Sequence, residues 1–192
     1  HKRNGFYYLL TAEGGTEYEH AVSLARATKL DGPYEIHPQN PILTSSGKPE
    51  LKLQKAGHAS LIETKENQWY MTHLCGRPLP GTNKCNLGRE TAIQKVEWRD
   101  DDWLYLNNGG NEPHEQVKPP PLEPCPWDEL PNPLPFDSPH FAIPRGPTSS
   151  VIIESDGLTL VGMESLESNF EQSMLARRLT SQRLTATTKL SF

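Results

Sequence analysis

From Asn107 to Pro147 the hydrophobic alternation that runs through the rest of this chain collapses, because Pro119-Pro120-Pro121 is followed closely by Pro124, Pro126, Pro131, Pro133 and Pro135. Each proline removes a backbone donor and fixes φ, so the stretch is excluded from regular strands and favours extended, polyproline-like chain. The sequence therefore divides into a β-rich piece at 1–106, a crossing at 107–147, and a second β-rich piece at 148–192. Trp127, Phe136 and Phe141 lie inside the crossing. They predict that it packs on a surface instead of standing free in water.

Strand signals fill both flanks. Phe6 to Thr11 is a run of aromatic and β-favouring residues bounded by Asn4-Gly5 and Gly14-Gly15. Tyr18 to Ala27 alternates Ala21, Ser23, Ala25 and Ala27 against Val22, Leu24 and Arg26, a period of two that favours a strand. Asp31-Gly32-Pro33 is a turn, and Pro33 to His37 a short edge segment. Four further strands are predicted at Gly57–Glu63, Trp69–Leu74, Thr91–Trp98 and Trp103–Leu106, the last two joined by a turn at Asp100-Asp101-Asp102. Four short antiparallel strands in about fifty residues is the form of a propeller blade, although an open sheet or half a sandwich gives the same local pattern. After the crossing, strands are expected at Ser149–Ser155 and Leu158–Met163 around a turn at Asp156-Gly157. Glu171–Arg178 alternates less cleanly, and Leu184–Phe192 well. This reads as the opening of a β-sandwich. No helix is predicted beyond one turn at 166–174.

The formal net charge is -5, with acidic and basic residues mixed along the chain. Nucleic acid and anionic membrane are thereby disfavoured as partners, since both need a concentrated positive face. No apolar run reaches the roughly 18 residues that cross a bilayer. Cys75, Cys85 and Cys125 match neither a disulfide framework nor a zinc site, with a Cys75–Cys85 bridge across a loop left open. His1-Lys2-Arg3-Asn4-Gly5 is neither a signal peptide nor a methionine start, and Leu190-Ser191-Phe192 ends inside an alternating run. The chain is thus expected to be an internal piece of a longer protein, with the compartment, cytoplasmic or secreted, undetermined.

The sharpest local feature is Thr11-Ala12-Glu13-Gly14-Gly15-Thr16. A carboxylate at the end of an aromatic strand, followed by two glycines, sits where backbone approaches a ligand closely. An exposed loop glutamate is the plainer reading. The run from Tyr7 through Glu13 to Tyr18-Glu19-His20 resembles a segment of glycoside hydrolase family 43, in its β-xylosidase branch. So do Asp31-Gly32-Pro33-Tyr34-Glu35, Gly57-His58-Ala59-Ser60, His73-Leu74-Cys75-Gly76-Arg77-Pro78 and Leu87-Gly88-Arg89-Glu90-Thr91-Ala92-Ile93-Gln94. Phe170-Glu171-Gln172 and Ala176-Arg177-Arg178 are similar to the start of that branch's appended sandwich.

The resemblance implies an all-β protein: the C-terminal blades of a five-bladed β-propeller, then the beginning of a β-sandwich. It implies an inverting exo-β-1,4-xylosidase that releases xylose from xylo-oligosaccharides. Glu13 is expected as the proton donor, and the water-activating aspartate and an orienting aspartate are expected before His1. An inverting hydrolase needs two carboxyl groups about 6.5–9.5 Å apart, so this piece alone is expected to be inactive. Arg89 is expected to reach sugar hydroxyls, with an ion pair to Glu90 or Glu97 as the alternative. His73 is a weaker candidate for the same pocket. His20 and Glu19 are expected around Glu13, fixing its rotamer. His58 is expected to face the central channel and help hold water or calcium, or else to be a hydrogen-bonded core histidine. Trp69, Trp98, Trp103 and Trp127 are assigned to packing. An α-L-arabinofuranosidase, accepting an arabinosyl substrate, and a non-catalytic carbohydrate-binding β-protein are the competing readings. A homo-oligomer of the full-length protein stays open.

Overall fold

The computed structural model describes residues 1–126, 129–154 and 157–189. Trp127, the Ser155-Asp156 end of one expected strand and its turn, and Leu190-Ser191-Phe192 lie outside the described residues. The chain divides into two compact units, residues 1–122 and 123–192. Among the described residues there is no α-helix, and none long and apolar enough to cross a membrane.

The first unit holds two antiparallel sheets. One runs β1 (Lys2–Arg3), β2 (Phe6–Glu13), β3 (Ala21–Ala27), with β4 (Glu35–Ile36) and β5 (Leu43–Thr44) both pairing with β3. Asn4 and Gly5 have φ of 47° and 82°, the left-handed pair that an Asn-Gly hairpin favours, and so fold β1 onto β2. The expected strand from Tyr18 starts only at Ala21, because the His20 N–H closes a turn onto the Glu17 carbonyl. The alternation along β3 separates two faces. Val22 and Leu24 stand beside Ala12 and Leu10 on the core side, while Ala21, Ser23, Ala25 and Ala27 stand beside Glu13, Thr11, Leu9 and Tyr7 on the other.

Between β4 and β5 the chain leaves the ladder at Pro38 and Pro41. The gap is closed by the Asn40 carboxamide: its Oδ1 accepts from the Leu24 N–H at 3.0 Å, and its Nδ2 donates to the Leu24 carbonyl at 2.9 Å. His37 N–H donates to the same carbonyl.

The second sheet is a meander of β6 (Gln54–Glu63), β7 (Trp69–Gly76), β8 (Glu90–Trp98) and β9 (Leu104–Leu106), the blade form that the spacing predicts. Tyr8, Val22, Leu24 and Leu43 of the first sheet share one buried cluster with Leu61, Met71, Val96 and Leu104 of the second. Each fully buried side chain of this size stabilises the fold by about 1.5–3 kcal/mol. The Arg26 guanidinium closes one end of the interface, 4.6 Å from the Phe6 ring centroid and 4.0 Å from that of Trp103. The start of the proline-rich stretch docks on this unit, where Gln94 exchanges two hydrogen bonds with the backbone of His114.

In the second unit β11 (Val151–Glu154) pairs with β12 (Gly157–Leu160), preceded by a short 3-10 turn at Thr148–Ser150. Phe141–Ala142, as β10, pair with Ala176–Arg177, as β13, so one short strand lies inside the stretch expected to hold none. Both residues keep their N–H donors and follow the densest prolines, which is why a ladder can form there. The run expected from Leu184 forms no strand among its described residues. Gln172 is buried, and its amide donates to the carbonyls of Leu166 and Ser168, tying together the loop before β13.

Candidate active site

Where β6 passes the turn that connects β2 to β3, its pairing with β7 breaks twice, between Gln54 and Gly57 and between Gly57 and Ser60. Lys55 and His58 take left-handed φ values of 56° and 52° at these bulges. Such a conformation costs a residue other than glycine on the order of 1–3 kcal/mol and re-aims its side chain. Beside the first bulge lies a cavity of about 220 Å³ whose wall includes Glu17, His20, Lys55, Cys75, Cys85 and Arg89.

His20 forms the floor of the strand crossing. Its Nδ1 lies 2.9 Å from the Glu13 carbonyl, which can only accept, so that nitrogen carries the proton. The ring lies against Gly57 so closely that a Cβ there would come within 2.3 Å of a ring carbon. Its Nε2 is buried and makes no hydrogen bond among the described residues.

Lys55 Nζ sits 2.6 Å from Glu17 Oε2 and 4.9 Å from the centroid of the Tyr18 ring. Tyr18 is fixed in turn by its hydroxyl, which donates to the Asn83 carbonyl at 2.9 Å. The hydrogen bond from Lys55 holds the Glu17 carboxyl below its ordinary range, and the same bond raises the Lys55 ammonium.

The loop carrying Arg89 is seated by Cys85, whose Sγ lies 2.9 Å from where a Cβ on Gly76 would stand. Cys75 precedes Gly76 on β7 and is buried, which pushes its thiol up to about 11. Both thiols are free, and the open question of a Cys75–Cys85 bridge is answered by this arrangement. Arg77 grips Glu90 through Nε and Nη2, the latter at 2.6 Å, while Glu97 receives Arg99.

The residues expected from sequence are only partly brought together. Arg89 and His20 line the cavity. Glu13 is exposed at the end of β2, on the face turned from the second sheet, and is not part of the wall. His20 holds its backbone carbonyl, not its carboxylate. Glu19 is exposed, and its carbonyl leaves no room for a side chain at position 14. His73 is buried behind the cavity, with Nδ1 2.9 Å from the Leu74 carbonyl and Nε2 3.4 Å from the Gln94 amide; burial lowers its pKa. His58 is exposed on its bulge. Among the described residues no three His, Cys, Asp or Glu side chains converge as metal ligands. Glu17 and Lys55 were not singled out by sequence, since nothing in Gln54-Lys55-Ala56-Gly57 signals a bulge.

Residues 1–104 match the model for glycosyl hydrolases family 43, and residues 136–192 match the β-xylosidase C-terminal concanavalin A-like domain. The whole chain is 46% identical to a xylosidase/arabinosidase 43B of Humicola insolens and 42% identical to a xylan 1,3-β-xylosidase of a Vibrio species. It spans 37% and 39% of the lengths of those two proteins. The crystal structure of xylan β-1,4-xylosidase from Bacillus halodurans C-125 superposes with a TM-score of 0.85 at 49% identity, over 94% of this chain and 36% of the other. The two sheets of the first unit are accordingly blades of a β-propeller, and the second unit opens a sandwich domain.

Proposed function

Because this chain belongs to glycoside hydrolase family 43, we propose that it is part of an inverting exo-β-1,4-xylosidase that releases xylose from the non-reducing end of xylo-oligosaccharides. The observation that carries this reading is the open cavity with Arg89 on its wall, in a chain similar over its whole length to xylosidases. A guanidinium offers a planar fork of donors, suited to two neighbouring hydroxyls of a pentose.

The chemistry needs a protonated acid at the leaving oxygen and a carboxylate that activates water across the ring. Of the described residues on the cavity wall, Glu17 is the one carboxylate, and Lys55 holds it ionised, the wrong state for a donor. Glu13 is the donor suggested by sequence, but a donor must be shielded enough to stay protonated near neutral pH. Its exposed carboxyl meets that condition only when residues outside 1–192 cover it. Arg89 needs no such help. Residues 1–192 thus supply the binding wall and not the complete catalytic pair, and the isolated chain is expected to bind a pentoside without cleaving it.

The experiment is turnover by the full-length protein of 4-nitrophenyl β-xyloside against 4-nitrophenyl α-L-arabinofuranoside, with the anomer of the first product read by NMR. Release of α-xylose is expected, and negligible xyloside turnover would reject the reading. Arabinofuranosidase activity is the second reading, favoured by the 34% identity to a non-reducing end α-L-arabinofuranosidase of Bacteroides ovatus.

A further inference from the structure

The geometry points to the Glu17–Lys55 pair as the element that recognises the second sugar of an oligosaccharide, the one linked to the pentose being released; this rests on the functional reading above. Lys55 occupies a left-handed backbone position that its side chain does nothing to favour, and it occupies it at the wall of the cavity. Its ammonium is then fixed by the Glu17 carboxylate at 2.6 Å and by the Tyr18 ring at 4.9 Å, with Tyr18 itself tied to Asn83. Stability does not account for this construction, because an ion pair with one exposed partner contributes little to it.

The pair sits at the rim: the Lys55 side chain is 22% exposed and that of Glu17 69%. Arg89 lines the same cavity, and its charge reaches Glu17. A terminal sugar held by Arg89 therefore presents its neighbour toward the rim. There the ammonium has N–H donors left after one is given to Glu17, and Glu17 has a second oxygen to accept with. A donor and an acceptor side by side match the vicinal hydroxyls of a pyranose, each of which both donates and accepts. A nitrophenyl leaving group occupies the same space but offers no hydroxyl.

The test uses Lys55→Met and Glu17→Gln in the full-length protein, comparing kcat/KM on xylobiose with that on 4-nitrophenyl β-xyloside and recording the melting temperature. Each variant is expected to lose about tenfold or more on xylobiose, mainly through KM, and to stay within about twofold on the nitrophenyl substrate. Lys55→Arg, which keeps the charge, should recover part of the xylobiose loss. Glu17 lies on an exposed turn, so Glu17→Gln reports even where Lys55→Met unfolds. Equal losses on both substrates, or none on xylobiose, overturn the inference alone. A parent that cleaves no pentoside overturns the functional reading and this inference with it.

Discussion

Gly57 has room for no side chain because the His20 ring fills the place of one. An alanine Cβ would stand 2.3, 2.5 and 2.6 Å from three ring atoms, well inside contact distance. The ring cannot retreat freely, since it is 2% exposed and pinned through Nδ1 to the Glu13 carbonyl. Gly57→Ala must either strain the packing, at about 1–3 kcal/mol, or break that hydrogen bond, at about 1 kcal/mol more. A loss of roughly 2–4 kcal/mol corresponds to a drop of roughly 4–16 °C in Tm for a domain of 150–250 residues. The decisive measurement is a double-mutant cycle on the full-length protein, following Tm and urea midpoint for Gly57→Ala, His20→Ala and the two combined. Gly57 is not among the residues with positive φ, so the alanine carries no strain of its own and nearly all its cost should vanish once the ring is gone. The two changes should therefore couple by more than about 1 kcal/mol. An equal cost for Gly57→Ala with and without His20 would refute the steric argument.

Glu13→Gln in the full-length protein decides the donor role: loss of a donor slows xylobiose cleavage by roughly 10²–10⁴-fold and activated aryl xylosides far less, whereas equal effects on both remove Glu13 from that role. Arg89→Ala should lower kcat/KM on both pentoside classes by roughly 10–100-fold while leaving Tm in place, because the side chain is exposed on the wall; melting instead would make it structural. Burial lowers the pKa of both His37 and His73, so the unfolded chain takes up protons near pH 6.5 that the folded chain refuses. Stability should accordingly be full above about pH 7 and fall as pH drops through 6.5, by up to about 1.4 kcal/mol per pH unit for each histidine, as read from urea midpoints between pH 7.5 and 5. A flat or opposite pH dependence would contradict that burial.

The strands of the propeller piece were legible because their signals are local. Period-two alternation, the Asn4-Gly5 hairpin and the aspartate turn at 100–102 each act over a few residues, and β2, β3, β7 and β8 appear where those signals lie. The alternation along β3 separates Val22 and Leu24, which join the cluster shared with the second sheet, from Ala21, Ser23 and Ala27, which are buried on the other face. The candidate site was less legible. Arg89 and His20 do reach the cavity, but the sequence could not show that His20 would bind a carbonyl instead of a carboxylate. Nor could it show that Lys55 would be turned inward by a bulge, or that Cys85 would fill the space beside Gly76. Those outcomes depend on contacts between residues 7 to 38 positions apart, beyond the reach of strand periodicity and turn signals. The second unit was the least legible, because its short strands pair across loops that Gln172 organises from within.

Asn40 has a consequence for how this protein behaves among other chains. Between its pairings with β4 and β5, β3 has no strand beside it at Leu24, and backbone N–H and C=O groups left vacant there would invite a foreign segment to align with them. At Leu24 a single amide satisfies one group of each kind, reading the backbone as a complementary strand would but offering no backbone for a further layer. The gap between the two pairings is sealed there, with the His37 N–H on the same carbonyl, and the seal also works as a key. An aspartate there would set an acceptor against the Leu24 carbonyl, so only an amide, oriented one way round, lets the segment between β4 and β5 dock in register.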